Sequence, residues 1–94
     1  MKKPLILIAD DDDAIRLVLE KKFSRSGFTT KSTNKGKTLL SWIESGEGDL
    51  IITDVIMEDS NGLDLLPLIQ DIRPDLPVLV MSGLNTIKTA IDAS

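Results

Sequence analysis

A chain of 94 residues, 41% hydrophobic and 28% charged, has the apolar mass for one small core and not for two. Its formal charge of -4 excludes a nucleic-acid surface of clustered Lys and Arg, and the lack of cysteine and histidine excludes disulfides, thiolate chemistry, a Ser-His-Asp triad and a phosphohistidine of its own. The apolar stretch behind Met1-Lys2-Lys3 ends in aspartates after about five residues, and no run approaches the roughly 20 that span a bilayer, so a strand replaces the signal-peptide reading and a cytoplasmic, membrane-free protein is expected.

Short apolar runs alternate with stretches of helical period, which predicts strand–helix units and a parallel sheet, the α/β class. Leu5 to Ala9 is continuously apolar, as a central strand covered on both faces should be, and the aspartates behind it offer a helix N-cap. Ile15, Val18, Leu19 and Phe23 recur at three- and four-residue steps, predicting a helix from Ala14 to about Phe23. Lys21, Lys22 and Arg25 lie near its C-terminus and Gly27 suits the left-handed cap. Phe28 to Ser32 is a short, β-forming edge strand.

Asn34 is expected to cap a second helix carrying Leu39, Leu40, Trp42 and Ile43, which stops at Ser45-Gly46-Glu47-Gly48. A third strand covers Asp49 to Thr53. After Asp54 an irregular stretch, Val55 to Asn61, leads to a third helix from Gly62 with Leu65, Leu66, Ile69 and Ile72 on one side. Pro67 within it predicts a later start or a bend, because proline removes a helical hydrogen bond. Pro74 and Pro77 bracket a turn, Val78 to Met81 is a fourth strand, and Asn85 or Thr86 opens a last helix with Ile87, Ala90 and Ile91. Without repeats or linkers, residues 1–94 form one cooperative unit.

Each central strand ends in a useful group: Asp10 and Asp11 after the first, Asp54 after the third, Ser82 after the fourth. In a doubly wound parallel sheet of flavodoxin-like order 2-1-3-4, the first and third strands flank the point where winding reverses, so their carboxylates share a crevice. Like charges there repel unless a cation or proton neutralises them. Hard oxygens in that arrangement suit magnesium, with Asp54 as both ligand and nucleophile. A four-aspartate run alone is more often a helix start in solvent than a metal site, and Asp54 at a second strand end reverses those odds. Trp42 and the leucine stripes read as core, and Lys31, Lys35 and Lys37 as solvated charges.

Three segments in order, LILIADDDDAIRLVLE, DLIITDVIMEDSNGLDLLP and RPDLPVLVMSG, resemble the acidic-pair, phospho-acceptor and hydroxyl motifs of response regulator receiver domains, those of nitrogen-regulation transcriptional activators in particular. The resemblance implies that Asp10 and Asp11 hold Mg2+ with Asp54 and the Ile56 carbonyl. It further implies that Asp54 accepts a phosphoryl group from a sensor histidine kinase, that Ser82 senses it, and that the switch drives a transcriptional output elsewhere. Asp12, Asp13 and Thr53 have no implied role. The module itself is not an enzyme in this reading, and touches no nucleic acid directly.

Two departures stand out. Glu58 occupies the place of the family's usual proline, which adds charge beside the site and is expected to loosen the loop or alter dephosphorylation. The family's fifth strand, with its phosphoryl-binding lysine, and its fifth helix have no counterpart in 1–94, so a C-terminally incomplete domain is expected. Its fourth strand would be a bare apolar edge, open to a homodimer or a strand-exchanged partner. Two rivals remain: a pseudo-receiver that only docks or dimerises, and a haloacid-dehalogenase-type phosphatase using Asp10-x-Asp12 with Asp10 as nucleophile and Ser82 as the second motif.

Overall fold

In a computed structural model that describes residues 3–82 and 86–89, four strands run parallel: β1 (Leu5–Ala9), β2 (Thr29–Thr33), β3 (Leu50–Asp54) and β4 (Val78–Ser82). They alternate with α1 (Asp13–Arg25), α2 (Gly36–Glu44) and α3 (Gly62–Ile72), and their order across the sheet is β2-β1-β3-β4, the expected flavodoxin-like winding with β2 at an edge. Strand pleating sends alternate residues to opposite faces. Leu7, Ala9, Ile51, Val78 and Val80 meet Leu39 and Ile43 of α2 and Leu65 and Ile69 of α3 in the larger core. Ile6, Ile8 and Ile52 point the other way, beneath Leu19 and Phe23 of α1 and Phe28.

The helix starts follow local chemistry in two cases and not in the third. Asp12 caps α1, its Oδ1 accepting from the Ala14 and Ile15 N–H groups, and Asn61 caps α3 through the Leu63 N–H. α2, however, begins at Lys35 with no side-chain cap of its own, so Asn34 does not play the expected part. The acceptors come from across the molecule, from Asp59. Helix α3 starts at Gly62 and runs unbroken through Pro67. Pro67 and Leu63, whose carbonyl loses its partner, are both exposed, so water can satisfy that oxygen.

The last element differs from expectation. Thr86–Thr89 is a strand, β5, antiparallel to β4 with Ser82 opposite Thr86 and Leu79 opposite Thr89. The predicted helix does not form over these residues, and its remaining positions, Asn85, Ala90 and Ile91, lie outside the described residues. β4 is therefore not a bare edge. An apolar strand with unpaired N–H and C=O groups gains from any neighbour, an antiparallel one needs only a short connection, and Thr86, Ile87 and Thr89 are β-branched. Among the described residues no helix is long and apolar enough to cross a membrane.

Candidate functional site

The carboxyl ends of β1 and β3 are adjacent: Ala9 is opposite Thr53 in the parallel ladder, which brings Asp10 level with Asp54. Asp10 extends the β1–β2 ladder by one bond, its N–H donating to the Thr33 carbonyl at 3.1 Å, and this draws its side chain in to 3% exposure. Its Oδ1 accepts the Asp12 N–H at 2.8 Å. Burial is the largest influence on its carboxyl and pushes the pKa up; the Asp12 N–H pulls the other way, and the charges of Asp54, Asp12 and Asp11 push up again. Arg16 does not relieve this. Its guanidinium donates to the Asp10 main-chain carbonyl at 2.7 Å and pairs with Asp13.

Asp54 closes β3, half-buried, with Oδ1 accepting the Val55 N–H at 2.8 Å. Its main chain is fixed from three directions. The fully buried Thr53 hydroxyl donates to the Asp54 carbonyl at 3.1 Å, the Val55 N–H donates to Met81 of β4 at 3.1 Å, and Gly62 packs so close that a Cβ there would collide with the Asp54 carbonyl. Only glycine permits that approach.

Between Asp54 and α3 the chain is a tight hairpin rather than a loose loop. Val55 accepts from Gly62 at 2.6 Å, Ile56 bridges Asn61, and Met57 and Ser60 exchange backbone bonds at 3.0 and 3.4 Å, with the Met57 side chain buried in the larger core. The Ile56 side chain is 72% exposed. At the tip the Glu58 N–H donates to Asp11 Oδ1 at 3.0 Å. The expectation that Glu58 loosens the loop is thus reversed, because the N–H that a proline lacks ties the loop to the acidic edge. Ser82 ends β4 one residue beyond Met81, the register partner of Asp54, and its backbone pairs with Thr86.

Asp10, Asp11 and Asp54 therefore meet at one edge. Asp12 and Asp13 serve α1 instead, as its cap and in its first turn. Among the described residues no group of three acidic side chains is drawn together as a ready metal cage, and Asp11 spends one oxygen on Glu58. The donor chemistry still fits a hard divalent cation: a buried carboxylate faces other carboxylates, and among the described residues neither ion pair reaches Asp10, Asp11 or Asp54. Thr53, Gly62 and Asp59 were not singled out from the sequence. Gly62 after Asn61 carried a turn signal, while the roles of Thr53 and Asp59 depend on long-range placement.

The matches to known proteins agree with this geometry. Residues 6–94 match the family described as the response regulator receiver domain. The chain is 57% identical over 89 residues to the DNA-binding transcriptional regulator NtrC of Rhizobium meliloti (strain 1021), covering 95% of this chain and 18% of that protein, so it spans under a fifth of the relative's length. The CheY-like response regulator receiver domain protein of Methanospirillum hungatei JF-1 superposes with a TM-score of 0.83 at 26% identity, over 87% of this chain and 66% of that one. The response regulator protein TrrA of Thermotoga maritima, solved in complex with Mg(2+)-BeF, gives 0.80 at 26% identity, over 85% and 70%. The fold, the edge and the matched span agree on one conclusion: the chain belongs to the response regulator receiver family.

Proposed function

We propose that Asp54 is the phospho-acceptor of this receiver, taking a phosphoryl group from the phosphohistidine of a sensor kinase and passing the change to a transcriptional output. An Asp54 carboxylate oxygen bonds to phosphorus as the phosphorus–nitrogen bond breaks, and the freed imidazole leaves with the electron pair. Asp10, Asp11, Asp54 and the Ile56 carbonyl would hold Mg2+, which when bound offsets charge on the transferred group's oxygens. The Ser82 hydroxyl then senses the phosphoryl group.

The observation that carries this reading is the buried Asp10, held beside Asp54 with its charge uncompensated. A folded chain keeps such a group at a cost unless a cation or a proton neutralises it. Intact mass spectrometry after incubation with acetyl phosphate, with and without Mg2+, is the test. A magnesium-dependent gain of one phosphoryl group that vanishes in Asp54→Asn is expected; label that survives that substitution overturns the assignment. A docking reading without phosphorylation draws on the absence, among the described residues, of a ready acidic cage, and it predicts no gain at all.

A further inference from the structure

The first N–H groups of a helix need acceptors, and α2 supplies none: its cap residue Lys35 is extended and its side chain caps nothing. Asp59, at the tip of the hairpin after Asp54, supplies them from 23 residues away. Its Oδ1 accepts the Gly36 N–H at 2.8 Å and its Oδ2 the Lys37 N–H at 3.2 Å. The Gly36 bond is the main reason its carboxyl sits below the usual range. Contact is close as well as polar, since a Cβ on Gly36 would stand 2.6 Å from Ser60 Oγ and 2.9 Å from Leu65 Cδ1. The main-chain N–H of the neighbouring residue, Glu58, donates to Asp11 Oδ1 at 3.0 Å. Two adjacent residues of one tight turn thus grip α2 and the acidic edge.

We propose that Asp59 is a positioning residue for the acceptor loop: by holding the N-terminus of α2 it keeps residues 56–58 against Asp11, and so sets where the Ile56 carbonyl and the Glu58 N–H stand at the edge that carries Asp54. A serine or aspartate at position 35 would cap α2 locally, with no long-range closure. Placing the carboxylate on the loop adds what a local cap does not, a fixed distance between loop and helix. The tether itself is independent of the phospho-acceptor reading; its consequence for phosphorylation rests on that reading.

The test separates the two roles of Asp59 by restoring only one. Asp59→Ala removes cap and tether together; adding Lys35→Ser returns a local cap to α2. Amide hydrogen exchange on the whole chain is then followed by NMR. In the double variant the Leu39 and Leu40 amides of α2 are expected to recover wild-type protection, while those of Glu58 and Gly62 exchange about tenfold faster than in the wild type. Recovery of Glu58 and Gly62 along with α2 would reduce Asp59 to a helix cap and overturn the proposal. With acetyl phosphate and Mg2+, the double variant is expected to label about tenfold more slowly despite its recovered helix. Wild-type labelling rates in that variant would refute the link to the site. A wild-type chain that takes no label would fail the acceptor reading alone, with the exchange data still deciding the tether.

Discussion

The two ends of the sheet treat charge in opposite ways. At the amino ends of the strands, Arg73 donates to the Glu47 and Gly48 carbonyls, Lys31 pairs with Glu47 at 2.7 Å while lying 4.4 Å over the Trp42 ring, and Asp49 accepts the Leu5 N–H at 2.7 Å. Each of these charges has a partner, and the partners are the loops it holds in place. At the carboxyl ends Asp10, Asp11 and Asp54 share one edge, and the arginine beside them, Arg16, serves the main chain and Asp13. Paired charge at one end stabilises; uncompensated charge at the other destabilises until something binds. The contrast separates scaffold from site without reference to any relative.

Breaking the paired end should cost most. Arg73→Ala leaves two half-buried carbonyls without their donor and is expected to lower stability by about 2 kcal/mol, roughly 10 °C of melting midpoint, without abolishing labelling of Asp54 in the folded fraction. An unchanged midpoint would mean that this end is less dependent on its ion and hydrogen-bond partners than its geometry implies. The acidic end should respond in the reverse sense. Mg2+ at ten times its dissociation constant should raise wild-type stability by about 1.4 kcal/mol, and raise that of Asp10→Asn by much less.

Asp10→Asn, which retains an acceptor for the Asp12 N–H, should itself stabilise the metal-free chain by on the order of 1 kcal/mol near neutral pH. The sign follows from linkage. A carboxyl raised in the folded state contributes stability below the ordinary value of 3.8, and that contribution disappears as pH rises through the folded pKa. The variant's advantage should therefore be absent in acid and grow upward from there; an advantage that instead grows toward acid would refute the burial argument. Asp59 runs the other way: its lowered carboxyl contributes above 3.8 and its contribution is lost as pH falls through the folded value, so Asp59→Ala should flatten the acid limb of the stability curve. The smallest effect belongs to Lys31→Met, about 0.5 kcal/mol and partly lost in high salt, because the pair is half-exposed. A loss several times larger would show the exposed pair to be tightly ordered.

Much of the site was legible because it lies where strands end. Continuous apolar runs announced β1 and β3 as central strands, and the first acidic residue after each stands at the sheet edge. The Glu58 loop is not legible for the opposite reason: an added charge suggests loosening, whereas the decisive group is a main-chain N–H facing an aspartate 47 residues away. Asn34 fits the local rule for a cap and does not act as one, since local rules see only local acceptors. Over β5 the sequence points to a helix because Ile87, Ala90 and Ile91 fit a helical period, while the open edge of β4 offers pairing that periodicity does not register.

By itself the sequence determined the α/β class, the order of strands and helices from β1 to β4, and the identity of the acids at the carboxyl edge, because apolar period and strand-end position are properties of neighbours along the chain. The tertiary structure alone decided that Asp10 is buried and Asp12 a cap, that Thr53 and Gly62 fix the main chain of Asp54, and that Asp59 starts a helix it does not belong to. Those are contacts between distant segments, and a hydrogen bond or a burial exists only once the fold has brought its two sides together.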